Sequence, residues 1–163
     1  MIMTKPAAMP AAALALAITA LATGALADDR AAVEAFYTRI LTASDTVDPA
    51  LAAQTVISGD WKSYGDYTGL AGTRDQFVGM MTGFHKLIPD LTWKVEDIVQ
   101  SGDTFVVRGR ASGTPQGPLF GVDGKGKSFD IMSIDIHRVQ DGRIVESYHV
   151  EDWAGALRQL SAK

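Results

Sequence analysis

The sequence predicts an α+β domain in which helices cover one face of a curved antiparallel sheet. Three observations point there. Apolar residues repeat with helical period as far as Pro89, they alternate with period two from Leu91 onward, and the second half is punctuated by the turn signals Ser101-Gly102-Asp103 and Asp141-Gly142.

The first predicted helix opens at Asp28-Asp29 and carries Val33, Phe36, Tyr37, Ile40 and Leu41 on one stripe. Asp48-Pro49 reads as an N-cap followed by proline at the first helical position, starting a short helix that runs to about Val56. The glycine-rich, aromatic stretch SGDWKSYGDYTGLAG reads as loop with at most one short strand. Thr73 and Gln76 have capping-box spacing. Behind them Phe77, Met80, Met81, Phe84, Leu87 and Ile88 form a second stripe, which Pro89 ends. Two hairpins follow. In the first, Trp93, Val95 and Val99 face inward against Phe105, Val107 and Ala111, with Glu96 opposite Arg108 outside. GTPQGPLFGVDGKGK, with five glycines and two prolines, is a loop between the hairpins, and residues 154 to 160 form a closing helix.

The N-terminal 27 residues predict a secretory signal. Their apolar stretch ends on Ala25-Leu26-Ala27, a small-x-small cleavage pattern, and is too short and alanine-rich for a membrane span. The expectation is one domain over residues 28–163, secreted or periplasmic and without a stable membrane anchor after cleavage. The whole chain carries a formal net charge of −4. Loss of Lys5, the only charge in the leader, makes the remainder slightly more acidic. An acidic domain without a basic run is not a nucleic-acid partner. With no cysteine in 163 residues, thiol catalysis, disulfides and cysteine-based metal sites are excluded. His85, His137 and His149 lack metal-ligand spacing, so no metal site is expected. No nucleophile elbow, phosphate loop or dinucleotide fingerprint occurs.

If Asp141-Gly142 makes a two-residue turn without irregularity, the last hairpin pairs His137 with Glu146, Asp135 with Tyr148, Ser133 with Val150 and Ile131 with Asp152. One face then mixes hydrocarbon with Ser133, Asp135, His137, Glu146, Tyr148 and Asp152. That composition suits either a pocket wall or a partly exposed dimer interface. His149 and Glu151 fall on the opposite face.

Several segments together resemble the SnoaL-like polyketide cyclase, or ester cyclase, family of the nuclear-transport-factor-2-like superfamily. They are "HKLIPDLTWKVEDIVQSGDTFVVRGRASGTPQGPLFG" and "IDIHRVQDGRIVESYHVEDWAGALRQL", and the resemblance covers about Thr73 to Leu160. It implies a cone-shaped barrel, a curved antiparallel sheet wrapped on helices around an apolar cavity. It also implies cofactor-independent aldol chemistry driven by a cavity carboxylate, which position by position falls on Asp152, with Tyr148 as its aromatic partner. The rival role for Asp152 is the N-cap of the closing helix. Where such cyclases carry a supporting histidine this chain has Pro115, which cannot titrate or donate. His137 is the nearest substitute, unless it merely pairs with Glu146.

The candidate site is therefore Asp152 and His137 for catalysis, with Tyr148, Trp93, Glu146, Asp135, His85 and Trp61 binding substrate. The ligand expected is a small apolar or aromatic carbonyl compound. The readings left open are an acid/base cyclase or isomerase, a ligand-binding module without chemistry, and a homodimer built on the sheet's outer face.

Overall fold

The computed structural model describes residues 29–162. Helix α1 is helical from residue 29, and its last part, Phe36–Leu41, is wound as a π-helix. There the Thr42 N–H reaches back five residues to the Tyr37 carbonyl at 3.0 Å. All five stripe residues of α1 are buried, as their spacing predicts. Helix α2, Pro49–Val56, is capped by the Asp48 side chain, which accepts from the Ala50 N–H at 2.8 Å. Helix α3, Arg74–Leu87, opens with the Thr73–Gln76 capping box. Helix α4 spans Trp153–Ser161.

Six strands form one sheet: β1 Ile57–Tyr64, β2 Gly72–Thr73, β3 Thr92–Ser101, β4 Thr104–Gly113, β5 Phe129–Gln140 and β6 Arg143–Glu151, in the order β2-β1-β6-β5-β4-β3. The sheet is open and mixed, because β1 lies parallel to β6 while every other pairing is antiparallel. The stretch expected to be mainly loop thus supplies the full-length strand β1. Its Trp61 is buried in the core, and a buried indole with a partner outweighs the glycine and aspartate around it. The outer face of the sheet leaves Val106, Met132, Ile136 and Val150 exposed.

Both hairpins depart from simple alternation, for one reason. In the first, Val95 pairs with Gly109 and Asp97 with Arg108, so Glu96 is an extra residue that no residue of β4 opposes. Beyond it the faces exchange: Ile98 packs on the core and Val99 is exposed, where alternation from Trp93 placed Val99 inside. In the second, Asp141 (φ 51°) and Gly142 (φ 70°) make the expected two-residue turn with both backbones left-handed. Val139 pairs with Ile144 as predicted, but Arg138 pairs with Glu146, so Val145 is a bulge. The remaining pairs shift by one: His137 with Ser147, Asp135 with His149, Ser133 with Glu151. A single extra residue turns the rest of the strand over.

Candidate active site

The bulge at Val145 decides what faces the interior. Ser147, His149 and Glu151 join Asp135 and His137 on the inner wall of a cavity of about 250 Å³. Apart from Ser63, the rest of the lining is apolar and largely aromatic, including Phe36, Trp61, Phe77, Phe84, Trp93 and Trp153. Met80 and Met81 of α3 lie on its helical side. Phe120 from the long loop also borders the cavity, with its ring 5.5 Å from Trp153 in an edge-on contact and its side chain 59% exposed.

Of the cavity's two acids, Asp135 and Glu151, Asp135 is the more deeply buried. It is 4% exposed, yet it borders the void. Its Oδ2 accepts two hydrogen bonds, from the Tyr37 hydroxyl at 3.0 Å and from Ser133 Oγ at 3.2 Å. No described residue bonds Oδ1. Tyr37 reaches this point from the π-helical part of α1 and also contacts His137 Nε2 at 2.9 Å. On the other side of that ring, His137 Nδ1 lies 2.8 Å from Ser147 Oγ. Two indoles brace the ends: Trp61 Nε1 donates to Ser147 Oγ at 3.0 Å, and Trp93 Nε1 donates to Ser133 Oγ at 3.2 Å. The indole of Trp93 fits because residue 109 is glycine; a Cβ there would lie 2.5 Å from Ser133 Oγ and 3.0 Å from Trp93 Nε1.

The electrostatics follow from burial. Removal from water pushes the Asp135 carboxyl up to about 7; the bond from Tyr37 pulls the other way and the negative charge of Glu151 adds to the rise. Burial also lowers His137 to about 3, with His149 contributing, so its ring is neutral at ordinary pH. The Tyr37 hydroxyl is pushed up by burial and by the neighbouring Asp135, and stays protonated. His149 moves the opposite way from His137. Its Nδ1 lies 2.8 Å from Glu151 Oε1, and that bond raises its pKa against the cost of partial burial.

The structure brings four of the eight predicted site residues together: Asp135, His137, Trp61 and Trp93 border the cavity. The other four lie elsewhere. Asp152 caps α4, accepting from the Gly155 N–H at 2.8 Å, with Arg158 3.7 Å away and its side chain 53% exposed. The register that would have turned it inward is undone by the bulge. Tyr148 and Glu146 sit on the outer side of the sheet for the same reason, Tyr148 stacking on Tyr64 at 4.9 Å and donating to Glu146 at 3.2 Å. His85 contacts the Leu41 carbonyl at 3.2 Å, tying α3 to the end of α1. In return the cavity gains Ser147, His149 and Glu151, and Tyr37 and Ser133 support Asp135 from behind its wall. Tyr37 had one signal in the sequence, a hydroxyl within an otherwise hydrocarbon stripe; a buried hydroxyl needs a partner.

An open mixed sheet covered by helices, with a carboxyl sealed in an apolar cavity, defines a class of small-molecule cavity proteins of α+β architecture. Residues 31–160 match the model of the SnoaL-like polyketide cyclase family, and the chain belongs to that family. Among solved structures, IdmH from Streptomyces antibioticus is 27% identical, covering 82% of this chain and 99% of its own, with a TM-score of 0.71. A SnoaL-like protein from Jannaschia sp. CCS1 is 20% identical over 84% of this chain and 94% of its own, with a TM-score of 0.72. TsrD from Streptomyces laurentii is 21% identical over 84% and 97%, with a TM-score of 0.69. The latter two share the fold. A comparison with functionally curated proteins gave no match.

Proposed function

We propose that the protein is a cofactor-independent acid/base catalyst that cyclises or isomerises a small apolar carbonyl compound, with Asp135 as the group that moves the proton. The observation that carries this reading is the Asp135 carboxyl itself: buried, with Oδ2 saturated by two donors and Oδ1 directed at an apolar cavity. Its pKa of about 7 lets one group both take and return a proton near neutrality. The role first sought in Asp152 is thereby given to a residue 17 positions earlier.

In the proposed reaction Asp135 Oδ1 removes a proton from carbon next to a carbonyl, and the C–H bonding pair becomes an enolate. For ring closure the enolate carbon bonds a second carbonyl carbon of the same molecule, whose π pair moves to oxygen. The proton on Oδ1 then passes to that alkoxide, restoring the carboxylate. For isomerisation the same proton returns to a different carbon. His149, which its bond to Glu151 favours toward the protonated form, borders the same cavity on the strand beside Asp135 and supplies the donor for the developing oxyanion. A cavity of about 150 Å³ accepts benzene, so about 250 Å³ suits a one- or two-ring ligand.

The test is deuterium wash-in from heavy water into a panel of mono- and bicyclic ketones and diketones, followed by proton NMR. The expected result is catalysed exchange beside the carbonyl by the native protein, reduced about 100-fold or more in Asp135→Asn. Equal exchange by both proteins would sink the assignment. A co-purified ligand that remains chemically unchanged, with no exchange in any panel member, would instead make this a binding module of the same fold.

Two further parts of the reading concern the cell and the assembly. Residues 1–27 lie outside the described residues, and their sequence supports export to the periplasm or medium with cleavage after Ala27. A mature N-terminus at Asp28 in the exported fraction is the expected finding. Exposed Val106, Met132, Ile136 and Val150 support pairing of two copies through the outer sheet face. Light scattering that returns a monomer would remove that part.

A further inference from the structure

The hydrogen bonds around Asp135 favour one arrangement of protons over the others. An indole N–H can donate but never accept, so Trp61 donates to Ser147 Oγ and Trp93 donates to Ser133 Oγ. Ser147 is 2% exposed, and its own hydrogen has one acceptor within reach, His137 Nδ1. That nitrogen is therefore unprotonated. The proton of a neutral His137 then sits on Nε2 and is donated to the Tyr37 oxygen, which frees the Tyr37 hydrogen for Asp135 Oδ2. The opposite tautomer strands the Ser147 hydrogen without an acceptor, and sets Nε2 in competition with Asp135 for the single hydrogen of Tyr37. A doubly protonated ring strands the Ser147 hydrogen in the same way. Burying a donor without a partner costs about 1–3 kcal/mol, so the first arrangement wins.

We propose that Tyr37 and His137 are positioning residues in a one-way hydrogen-bond chain, Trp61 to Ser147 to His137 to Tyr37 to Asp135, which together with the shorter chain Trp93 to Ser133 to Asp135 fixes Oδ2 as a double acceptor and leaves Oδ1 as the only atom that trades a proton with the ligand. Both chains begin on indoles, which cannot take up a proton, so neither chain can carry one away. A proton captured on Oδ1 leaves only through the cavity. The catalytic meaning of this wiring rests on the acid/base reading of Asp135, but the wiring can be observed without any substrate. The titratable groups around Asp135 are Tyr37 from α1, His137 on its own strand, and His149 and Glu151 from β6.

Nitrogen-15 labelling of histidine in the purified protein, read by long-range proton–nitrogen correlation from pH 5 to 8, tests the arrangement directly. The expected pattern for His137 is protonated Nε2 and bare Nδ1, constant over that range. A protonated Nδ1, or a ring that titrates there, overturns the proposal. Carbon-13 labelling of aspartate carboxyls tests the consequence. Tyr37→Phe and Ser133→Ala each remove one hydrogen bond that favours the carboxylate, so each is expected to move the Asp135 midpoint upward by about one pH unit, a tenfold change in proton affinity. Ser133→Ala serves if Tyr37→Phe does not fold. A merely structural role would lower the melting temperature and leave the midpoint in place, and that result would refute the positioning role. Because these readouts need no turnover, they can succeed or fail independently of the exchange experiment on Asp135→Asn.

Discussion

Asp135 and Asp152 are the same residue type in opposite situations. Asp135 lies in hydrocarbon with one oxygen saturated, whereas Asp152 accepts a backbone N–H at the start of α4 and is half exposed. The prediction for Asp152→Ala is accordingly a loss of stability alone, about 0.5–2 kcal/mol for a lost N-cap, seen as a lower urea midpoint with carbonyl exchange unchanged. Asp152→Asn keeps a capping oxygen and is expected to be nearly neutral in both assays. Loss of exchange in either variant would return Asp152 to the mechanism. Gly155 belongs to the same argument, since a Cβ there would meet Asp152 Oδ2 at 2.0 Å and break the cap. Both possible roles of Asp152 were legible in its sequence position, because acid-before-helix spacing and aromatic-x-x-x-Asp spacing coincide there. Choosing between them required the register.

Among the elements, α1 to α3 were readable because their signals are local: a 3.6-residue stripe, a proline after an acid, a threonine three residues ahead of a glutamine. The hairpin strands β3 to β6 were readable in existence and turn but not in facing. Each long hairpin holds one bulged residue, Glu96 or Val145, and nothing in "VEDIV" or "IVESY" marks which residue is unpaired. The consequence was large for β6, where one extra residue exchanged Tyr148 and Glu146 for Ser147, His149 and Glu151. Strand β1 was hidden by glycine and aspartate in a segment that pairs parallel to a strand more than 80 residues later, which no local pattern reports. Between β4 and β5, Gly109 is the element-scale prediction. Gly109→Ala forces its Cβ against Ser133 and the Trp93 indole, so the expected cost is about 1–3 kcal/mol, together with an upward shift of the Asp135 midpoint as Ser133 is displaced. An unchanged urea midpoint would show that the Trp93–Ser133 contact yields without cost.

For the whole molecule, Asp135 and His137 make opposing contributions to stability against pH. The Asp135 carboxyl rises from 3.8 to about 7, so the folded protein keeps a proton that the unfolded chain gives up, and stability falls as pH climbs through that window. His137 drops from 6.5 to about 3, so the unfolded chain gains a proton that the folded protein refuses, and stability rises with pH over that window. Where the windows overlap the two slopes oppose. The native protein is expected to show a shallow profile between roughly pH 4 and 6.5. Asp135→Asn should rise with pH across that range and His137→Gln should fall, each by up to about 1.4 kcal/mol per pH unit. Urea melts at pH 4.5, 5.5 and 6.5 measure this directly, and parallel profiles for all three proteins would contradict the burial of both groups. The α+β class was readable from the chain because it depends on the sum of many residues, whereas the apolar cavity was an expectation carried by the family resemblance. The pairing of a raised acid with a lowered histidine was not readable, since it arises where α1 meets β5 at Tyr37.

The bulge at Val145 makes the cavity wall depend on how one residue is accommodated. Drawing Val145 into the ladder opposite Arg138 would turn over the strand beyond it, sending Ser147, His149 and Glu151 to the exterior and bringing Glu146, Tyr148 and Val150 within, whereas deleting Val145 would keep the observed facing. In lineages built on this scaffold, a change of specificity could therefore arrive as a one-residue slip in strand pairing instead of a slow series of replacements.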